Sequence, residues 1–135
     1  MDQMFSKWQP TALSLFRFIT GLLLLQYGVA KIFKFPVLPY FVNIPPLIYS
    51  AGMIELVLGA LLMLGLLTRL AALILSGEMA FAYFLGHMLK KPAEPVFLPL
   101  INGGTAAILF CFACLYLATS GGGPISLDAM MGKKS

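Results

Sequence analysis

The chain has 135 residues, of which 60% are hydrophobic and 10% charged, and its formal net charge is +4. A typical soluble domain is about 45–50% apolar and about one quarter charged, and one of this length has too little interior to bury so much apolar surface. The composition therefore excludes a disordered chain, a disulfide-stapled secreted module and an ordinary soluble enzyme. It indicates an integral membrane protein with a single domain over residues 1–135.

Four stretches are long and apolar enough for membrane-spanning helices, which need about 20 residues each. They cover about residues 11–30, 47–67, 70–89 and 101–119. No small-residue cleavage site follows the first stretch, so we interpret it as a retained helix rather than a signal peptide. With proline-rich loops after the first and third spans, the pattern predicts an all-α, integral membrane four-helix bundle.

The four spans place both chain termini on one side of the membrane, which we call side A, together with the short turn between the second and third helices. Side B carries the two proline-rich loops. The Lys and Arg residues outside the spans divide equally between side A (Lys7, Arg69, Lys133, Lys134) and side B (Lys31, Lys34, Lys90, Lys91). Arg17, near the A end of the first helix, favours a cytoplasmic side A.

The basic residues point to lipid rather than to nucleic acid. The nine Lys and Arg residues are scattered along the chain and form no patch interleaved with aromatic residues. Such a patch is typical of nucleic-acid binding, whereas loop Lys and Arg of membrane proteins contact anionic lipid. We therefore expect membrane lipids as partners and no nucleic acid.

Three ionisable residues fall inside the spans, where charged side chains are rare and costly: Arg17, Glu55 and Glu78. Counted at 1.5 Å per residue, their depths follow one another down a single column. We predict a buried catalytic cluster in which Arg17 pairs with one glutamate while the other carries the proton. The alternatives are a purely structural cluster that sets the helix register, or no contact among the three.

Other polar residues are candidates for binding a ligand. His87 is the single histidine and has only Lys90 and Lys91 at i+3 and i+4, so we favour an interfacial residue over a ligand and predict no metal site. Asn102 opens the fourth span, where it is placed either to cap the helix or to face a ligand. Tyr83 is a candidate for a ring contact.

Cys111 and Cys114 have the CxxC spacing of redox-active thiols. In soluble redox proteins such a pair gains reactivity at a helix N-terminus, whereas this pair lies in the middle of a span. Two cysteines three residues apart on a helix meet the distance limits of a disulfide only with strain. We favour packing as small hydrophobic residues, with a redox pair as the alternative.

Short pieces in a fixed order and spacing run through almost the whole chain: Arg17 and Gly21, Tyr27-Gly28-Val29-Ala30-Lys31, Gly52 with Glu55 and Gly59, Thr68-Arg69, Gly77-Glu78-Met79-Ala80, Asn102-Gly103-Gly104, and Gly121-Gly122-Gly123-Pro124 before Ser126-Leu127-Asp128. Together they resemble the DoxX family of small bacterial membrane proteins. The resemblance implies a four-helix bundle in the bacterial cytoplasmic (inner) membrane. Many relatives carry a glutamate after Asn-Gly-Gly, where this chain has Thr105.

The resemblance also implies a function, because related proteins form a thiosulfate:quinone oxidoreductase and others are linked to thiol redox complexes. We expect a membrane subunit of a quinone- or thiol-linked redox system, with quinone as the cofactor, Glu55 or Glu78 as the proton acceptor and a protein partner as the source of electrons. The alternatives are a non-catalytic assembly or anchoring protein, and a small-molecule carrier. A carrier would need to form a homo-oligomer.

Overall fold

A computed structural model of the chain describes residues 2–35, 44–88, 98–99 and 103–132, without the side chains of residues 86–88. Within these ranges the regular elements are all helical. They are α1 (Asp2–Phe33), α2 (Pro46–Leu64), α3 (Thr68–Phe81), a π-helix (Ala82–Met88) that continues α3, α4 (Thr105–Ser120) and the short α5 (Leu127–Met130). The all-α prediction is therefore confirmed for the described residues.

Three of these helices are long and apolar enough to cross a membrane, namely Asp2–Phe33, Pro46–Leu64 and Thr68–Leu85, where the last joins α3 to the start of the π-helix. The fourth helix, α4, is apolar but has only 16 residues. At 1.5 Å per residue it is about 24 Å long, shorter than a hydrocarbon core of about 30 Å. The chain is thus a membrane protein with three helices of spanning length and one shorter apolar helix.

The turn between α2 and α3 makes the antiparallel hairpin that the sequence predicts. Gly65 adopts a left-handed conformation with φ of 75°, and Leu67 does so with φ of 52°. The N–H of Gly65 donates to the carbonyl of Leu62 at 3.1 Å, and the N–H of Leu66 donates to that of Leu61 at 2.9 Å. These two bonds form a Schellman motif, which ends α2 at Leu64 rather than at the predicted residue 67.

Other helix ends also differ from the predicted spans, and two of them bear on the candidate site residues. The first helix begins at Asp2, nine residues before the predicted span, because helical hydrogen bonding continues beyond the stretch that is apolar enough for hydrocarbon. The fourth helix begins at Thr105, and Gly104 occupies its N-cap position. Asn102, which the sequence places as a cap or a ligand contact, lies outside the described residues.

Close backbone contact holds α1 against α2, while α4 packs mainly against α3. A Cβ atom on Gly28 would lie 2.5 Å from the backbone nitrogen of Leu56, and one on Gly21 would collide with the backbone of Met63. Only glycine permits this separation, in keeping with the use of small residues where membrane helices approach closely. Gly21 and Gly28 therefore face α2.

An apolar layer fills the interior of the bundle. Each of the four main helices contributes one leucine with no exposed surface, and Ala72, Met79 and Cys114 pack with them. We call the four leucines the leucine layer: Leu24, Leu62, Leu75 and Leu117. The layer divides the interior into a side-A part and a side-B part, and each part contains a group of polar residues.

Candidate functional site

On the side-B part of the bundle, an ion pair joins α1 to α2. The Nζ atom of Lys31 donates to both carboxylate oxygens of Glu55, at 2.8 and 2.9 Å. The Glu55 side chain is 2% exposed and that of Lys31 is 12% exposed. The Lys31 ammonium also lies 5.9 Å from the centre of the Tyr27 ring. Gly52 makes room for the lysine, since a Cβ there would lie 2.8 Å from the Cβ of Lys31.

The third member of this group is Glu78, on α3. Its carboxyl interacts electrostatically with Glu55 and with Lys31. Both carboxylate oxygens are buried and accept no hydrogen bond from a donor group among the described residues, while the Glu55 carboxyl lies within hydrogen-bonding reach of them. On α4, Cys114 is near enough to interact with the charge of Glu78. We call Lys31, Glu55 and Glu78 the Lys–Glu cluster.

The composition of the Lys–Glu cluster limits what it can do chemically. With all three groups ionised, its net charge is −1, and one added proton makes it neutral. One uncompensated charge buried in the protein interior costs on the order of several kcal/mol. A buried polar group without a hydrogen bond is also unfavourable. The arrangement is therefore suited to holding one proton between two carboxyls, or to accepting a hydrogen bond from a ligand at Glu78.

Arg17 does not join this cluster but binds the C-terminal segment, residues 121–131, on the side-A part of the bundle. Its Nη1 atom donates to the carbonyl oxygen of Gly122 at 3.2 Å and to that of Ile125 at 2.9 Å. Its charge interacts with that of Asp128. The N–H of Ile125 in turn donates to Ser14 Oγ at 3.1 Å. Arg17 thus fastens the C-terminal segment to α1.

The prediction that Arg17 pairs with an intramembrane glutamate is corrected by this geometry. The cation beside Glu55 is Lys31, which the sequence analysis assigned to the loop on side B. Two facts explain the difference. The first helix continues to Phe33, so Lys31 is helical and faces α2. In addition, the C-terminal segment folds back and supplies carbonyl oxygens to the guanidinium.

Asp128 caps the start of α3 from the C-terminal segment. Its Oδ1 accepts a hydrogen bond from the N–H of Leu67 at 3.0 Å, and its Oδ2 accepts one from the N–H of Thr68 at 2.9 Å. Its own N–H donates to the carbonyl of Gly65 at 2.9 Å. A carboxylate at a helix N-terminus satisfies free N–H groups and complements the helix dipole. We call this arrangement, with Arg17, the C-terminal clasp.

The side chain of Ser126 caps α5. Its Oγ accepts a hydrogen bond from the N–H of Ala129 at 3.1 Å. The same Oγ donates to the carbonyl of Gly123 at 2.9 Å. These bonds give the C-terminal segment a defined shape, which places Asp128 at the turn between α2 and α3.

The two cysteines are free thiols in the interior of the bundle. Cys114 has no exposed surface and belongs to the apolar core, while Cys111 is half-buried. Ser76 Oγ donates to the carbonyl oxygen of Cys111 at 2.8 Å and lies 3.6 Å from its Sγ. This environment agrees with the packing interpretation, although Cys114 also stands next to the Lys–Glu cluster.

The remaining candidates divide into described and undescribed residues. Tyr83 is 8% exposed and makes an edge-to-face contact with Phe84, with ring centres 5.4 Å apart. The side chain of His87 and the whole of Asn102 lie outside the described residues. Thr105 is exposed at the first position of α4. Among the residues that the structure describes, no three His, Cys, Asp or Glu side chains form a group able to hold a metal ion.

Sequence reasoning missed Lys31 and Asp128, although each left a signal. Lys31 follows Arg17, Leu24 and Gly28 at positions that share one helical face. Asp128 is the single acid in a C-terminal segment that is otherwise apolar or small. The first signal indicates a second cation on the interior face of α1, and the second indicates a capping residue, whose target is the start of α3 rather than the C-terminal turn itself.

Comparison with known proteins assigns the chain to a family. The sequence profile of the DoxX family matches residues 12–88, a range that contains all three members of the Lys–Glu cluster. An uncharacterized protein of Haemophilus influenzae is 40% identical over 131 residues, which cover 95% of this chain and 96% of that protein. No solved structure matches the chain significantly. On the family profile and this near full-length relative, the chain belongs to the DoxX family.

Proposed function

We propose that this protein is the membrane subunit of a quinone-linked redox system, in which Glu78 holds the proton that accompanies the redox reaction. The observation that carries the proposal is the Glu78 carboxyl. Both of its oxygens are buried, accept no hydrogen bond from a donor among the described residues, and lie beside the Glu55 carboxyl of the Lys31–Glu55 ion pair. A buried carboxyl in this state is suited to bind a polar ligand atom and to exchange a proton with it.

Quinone is the ligand that we propose for this site. Glu78 would bind a quinone oxygen by a hydrogen bond, and Tyr83, which is largely buried, would contact the ring. The chemistry that a bound quinone supplies is the uptake of two electrons and two protons, which yields a quinol. The chain's own part is to hold one of these protons on Glu78. When that proton leaves, Lys31 stabilises the additional carboxylate.

The rest of the reaction requires a partner. We propose that a redox protein on one side of the membrane supplies the two electrons and that water supplies the second proton. We further propose that α4 completes a four-helix bundle in the bacterial cytoplasmic membrane, with both termini in the cytoplasm. The exposed large apolar side chains on the helices, such as Leu73, Phe81 and Phe112, contact lipid in this arrangement.

The test is mass spectrometry of the lipid extract from protein purified in mild detergent. Wild type, Glu78→Leu and Phe81→Leu are compared, because Phe81 lies on the same helix and is 69% exposed. We expect stoichiometric quinone in the wild type and in Phe81→Leu, and its loss in Glu78→Leu. Background lipid alone in all three proteins would refute the quinone site.

A non-catalytic assembly or anchoring role is the second candidate, and one feature of α1 favours it. The helix begins well before the predicted span, and its first turns expose Met4, Phe5 and Trp8 by 59%, 64% and 58%. Exposed apolar patches often mark a contact with a protein partner or with the membrane interface. A photoreactive residue at position 5 separates the two: cross-links to one protein support assembly, and cross-links to lipid support a membrane contact.

A further inference from the structure

Between side A and side B, the interior of the bundle has three levels: the C-terminal clasp, the leucine layer and the Lys–Glu cluster. On α1, Arg17 lies in the C-terminal clasp, Leu24 in the leucine layer and Lys31 in the Lys–Glu cluster. These residues are seven apart, so each lies about two turns beyond the one before it, on the same helical face. On α3, Leu75 is followed after three residues by Glu78, in the same direction.

The other two helices run in the opposite direction and meet these levels in reverse order. On α2, Glu55 comes first and Leu62 follows seven residues later, before the turn that contacts the C-terminal clasp. On α4, Cys114 beside Glu78 is followed by Leu117 and then by the start of the C-terminal segment. The leucine layer therefore lies between the Lys–Glu cluster and side A on every one of the four helices.

We infer that the Lys–Glu cluster exchanges its proton with side B alone, and that the leucine layer seals it from side A. The inference rests on the proposed function, because it concerns the proton that Glu78 holds. The four leucines have no exposed surface, whereas Lys31, which donates to Glu55 from the side-B part of α1, keeps 12% of its side chain exposed. Because the Glu78 carboxylate oxygens are buried and the Glu55 side chain is 2% exposed, the lysine is the exposed end of the charged groups of the cluster.

The physical reason is that a proton moves along hydrogen-bonding groups or ordered water, and neither is stable in a closely packed apolar layer. Two hydroxyl groups near this depth are already engaged. Thr20 Oγ1 donates to the carbonyl of Phe16 at 2.7 Å, and Ser76 Oγ donates to that of Cys111 at 2.8 Å. Both therefore use their single hydrogen within the protein rather than offering it to a water chain.

Among the residues that the structure describes, the titratable groups that interact with Glu78 come from the other three main helices. They are Lys31 from α1, Glu55 from α2, and Cys114 from α4, with Cys111 beside Cys114. All of them lie on the side-B part of the bundle or next to the leucine layer. With side A in the cytoplasm, as proposed above, the proton that Glu78 holds is exchanged with the opposite, periplasmic face of the membrane.

The experiment measures which compartment sets the protonation of Glu78. The protein is reconstituted in phospholipid vesicles, which are sorted by orientation with an affinity tag at the N-terminus. The vesicles are then treated with dicyclohexylcarbodiimide, a membrane-permeant reagent that modifies protonated carboxyl groups, while the pH of one compartment is changed. Trypsin cleaves at Arg69, so mass spectrometry measures the modification of Glu55 and of Glu78 in separate peptides.

We expect the rate of Glu78 modification to rise severalfold when the side-B compartment is acidified and to stay constant when side A is acidified. A response to side A, or an equal response to both sides, would overturn the one-sided access and leave the proposed function standing. Modification that ignores the pH of both compartments would overturn the proposed function itself, because Glu78 would then exchange no proton.

A pair of variants tests the role of the leucine layer. Leu75→Ser introduces a small polar group into the layer, and Leu73→Ser makes the same change at a position of α3 that is 57% exposed. We expect Leu75→Ser to make Glu78 modification respond to side A as well, and Leu73→Ser to behave as wild type. The same response in both variants would refute the seal, and the wild-type result stands by itself if Leu75→Ser fails to fold.

Discussion

The ammonium nitrogen of Lys31 lies 2.8 and 2.9 Å from the two carboxylate oxygens of Glu55, so that one ion pair bridges α1 and α2 inside the bundle. Glu78 adds a second carboxyl beside this pair. The cluster consequently contains one more acid than base at a depth where charge is costly. This imbalance supports the proposed exchange of a proton at Glu78.

Removing the lysine should destabilise the protein, because Glu55 would be left buried without a cation. For Lys31→Met we expect a loss of about 3 kcal/mol, the low end of the range for breaking buried pairs, since Lys31 is partly exposed. Thermal unfolding in detergent measures it, with the exposed Lys7→Met as the control. The double variant Lys31→Met with Glu55→Met should recover most of the loss. No recovery would contradict the ion pair as the cause.

The glycine contact between α1 and α2 should tolerate no methyl group. In Gly28→Ala the new Cβ would lie 2.5 Å from the nitrogen of Leu56, so the two backbones must separate. We expect a loss of about 1–3 kcal/mol, as for other overpacked interiors. Gly77→Ala is the matched control, because a Cβ there meets nothing within 4 Å. It should leave the unfolding temperature unchanged or raise it. Equal effects of the two changes would argue against the close contact.

The C-terminal clasp should contribute measurably to stability. Asp128→Ala removes the acceptors for the N–H groups of Leu67 and Thr68 and leaves Arg17 without a nearby carboxylate. We expect a loss of about 1–2 kcal/mol, typical of a lost helix cap. The exposed Asp2→Ala should change the unfolding temperature little. If both variants unfold like wild type, Asp128 does not act as a cap in the membrane.

The cysteines should behave as packing residues. Cys114 has no exposed surface, so we expect a maleimide to modify it only after unfolding, and to modify the half-buried Cys111 first. A double variant, Cys111→Ala with Cys114→Ala, should retain any quinone found in the wild type. Loss of quinone without loss of folding would instead support a redox role for the thiols.

Much of the fold is predictable from this sequence, because the cost of exposing apolar groups to water, or charge to lipid, acts locally. The apolar stretches at 47–67 and 70–89 and the short turn between them correspond to α2, α3 and their hairpin. The same cost singles out Glu55 and Glu78 as interior residues. The end of α2 was displaced by three residues because the left-handed Gly65 ends the helix by hydrogen bonding, which hydropathy does not register.

The sequence by itself determined that the chain is a membrane protein with acidic residues in its interior. Only the tertiary structure decided which cation meets them. Depth along a helix is additive and can be counted, whereas the choice between Arg17 and Lys31 depends on how α1 rotates against α2 and on where the C-terminal segment returns. In the structure, Arg17 donates to the carbonyls of Gly122 and Ile125 in the C-terminal segment. Gly52 has no side chain, and this leaves space for Lys31 beside Glu55. The pairing of a buried charge thus depends on contacts between residues far apart in the chain, and a local sequence pattern does not encode these contacts.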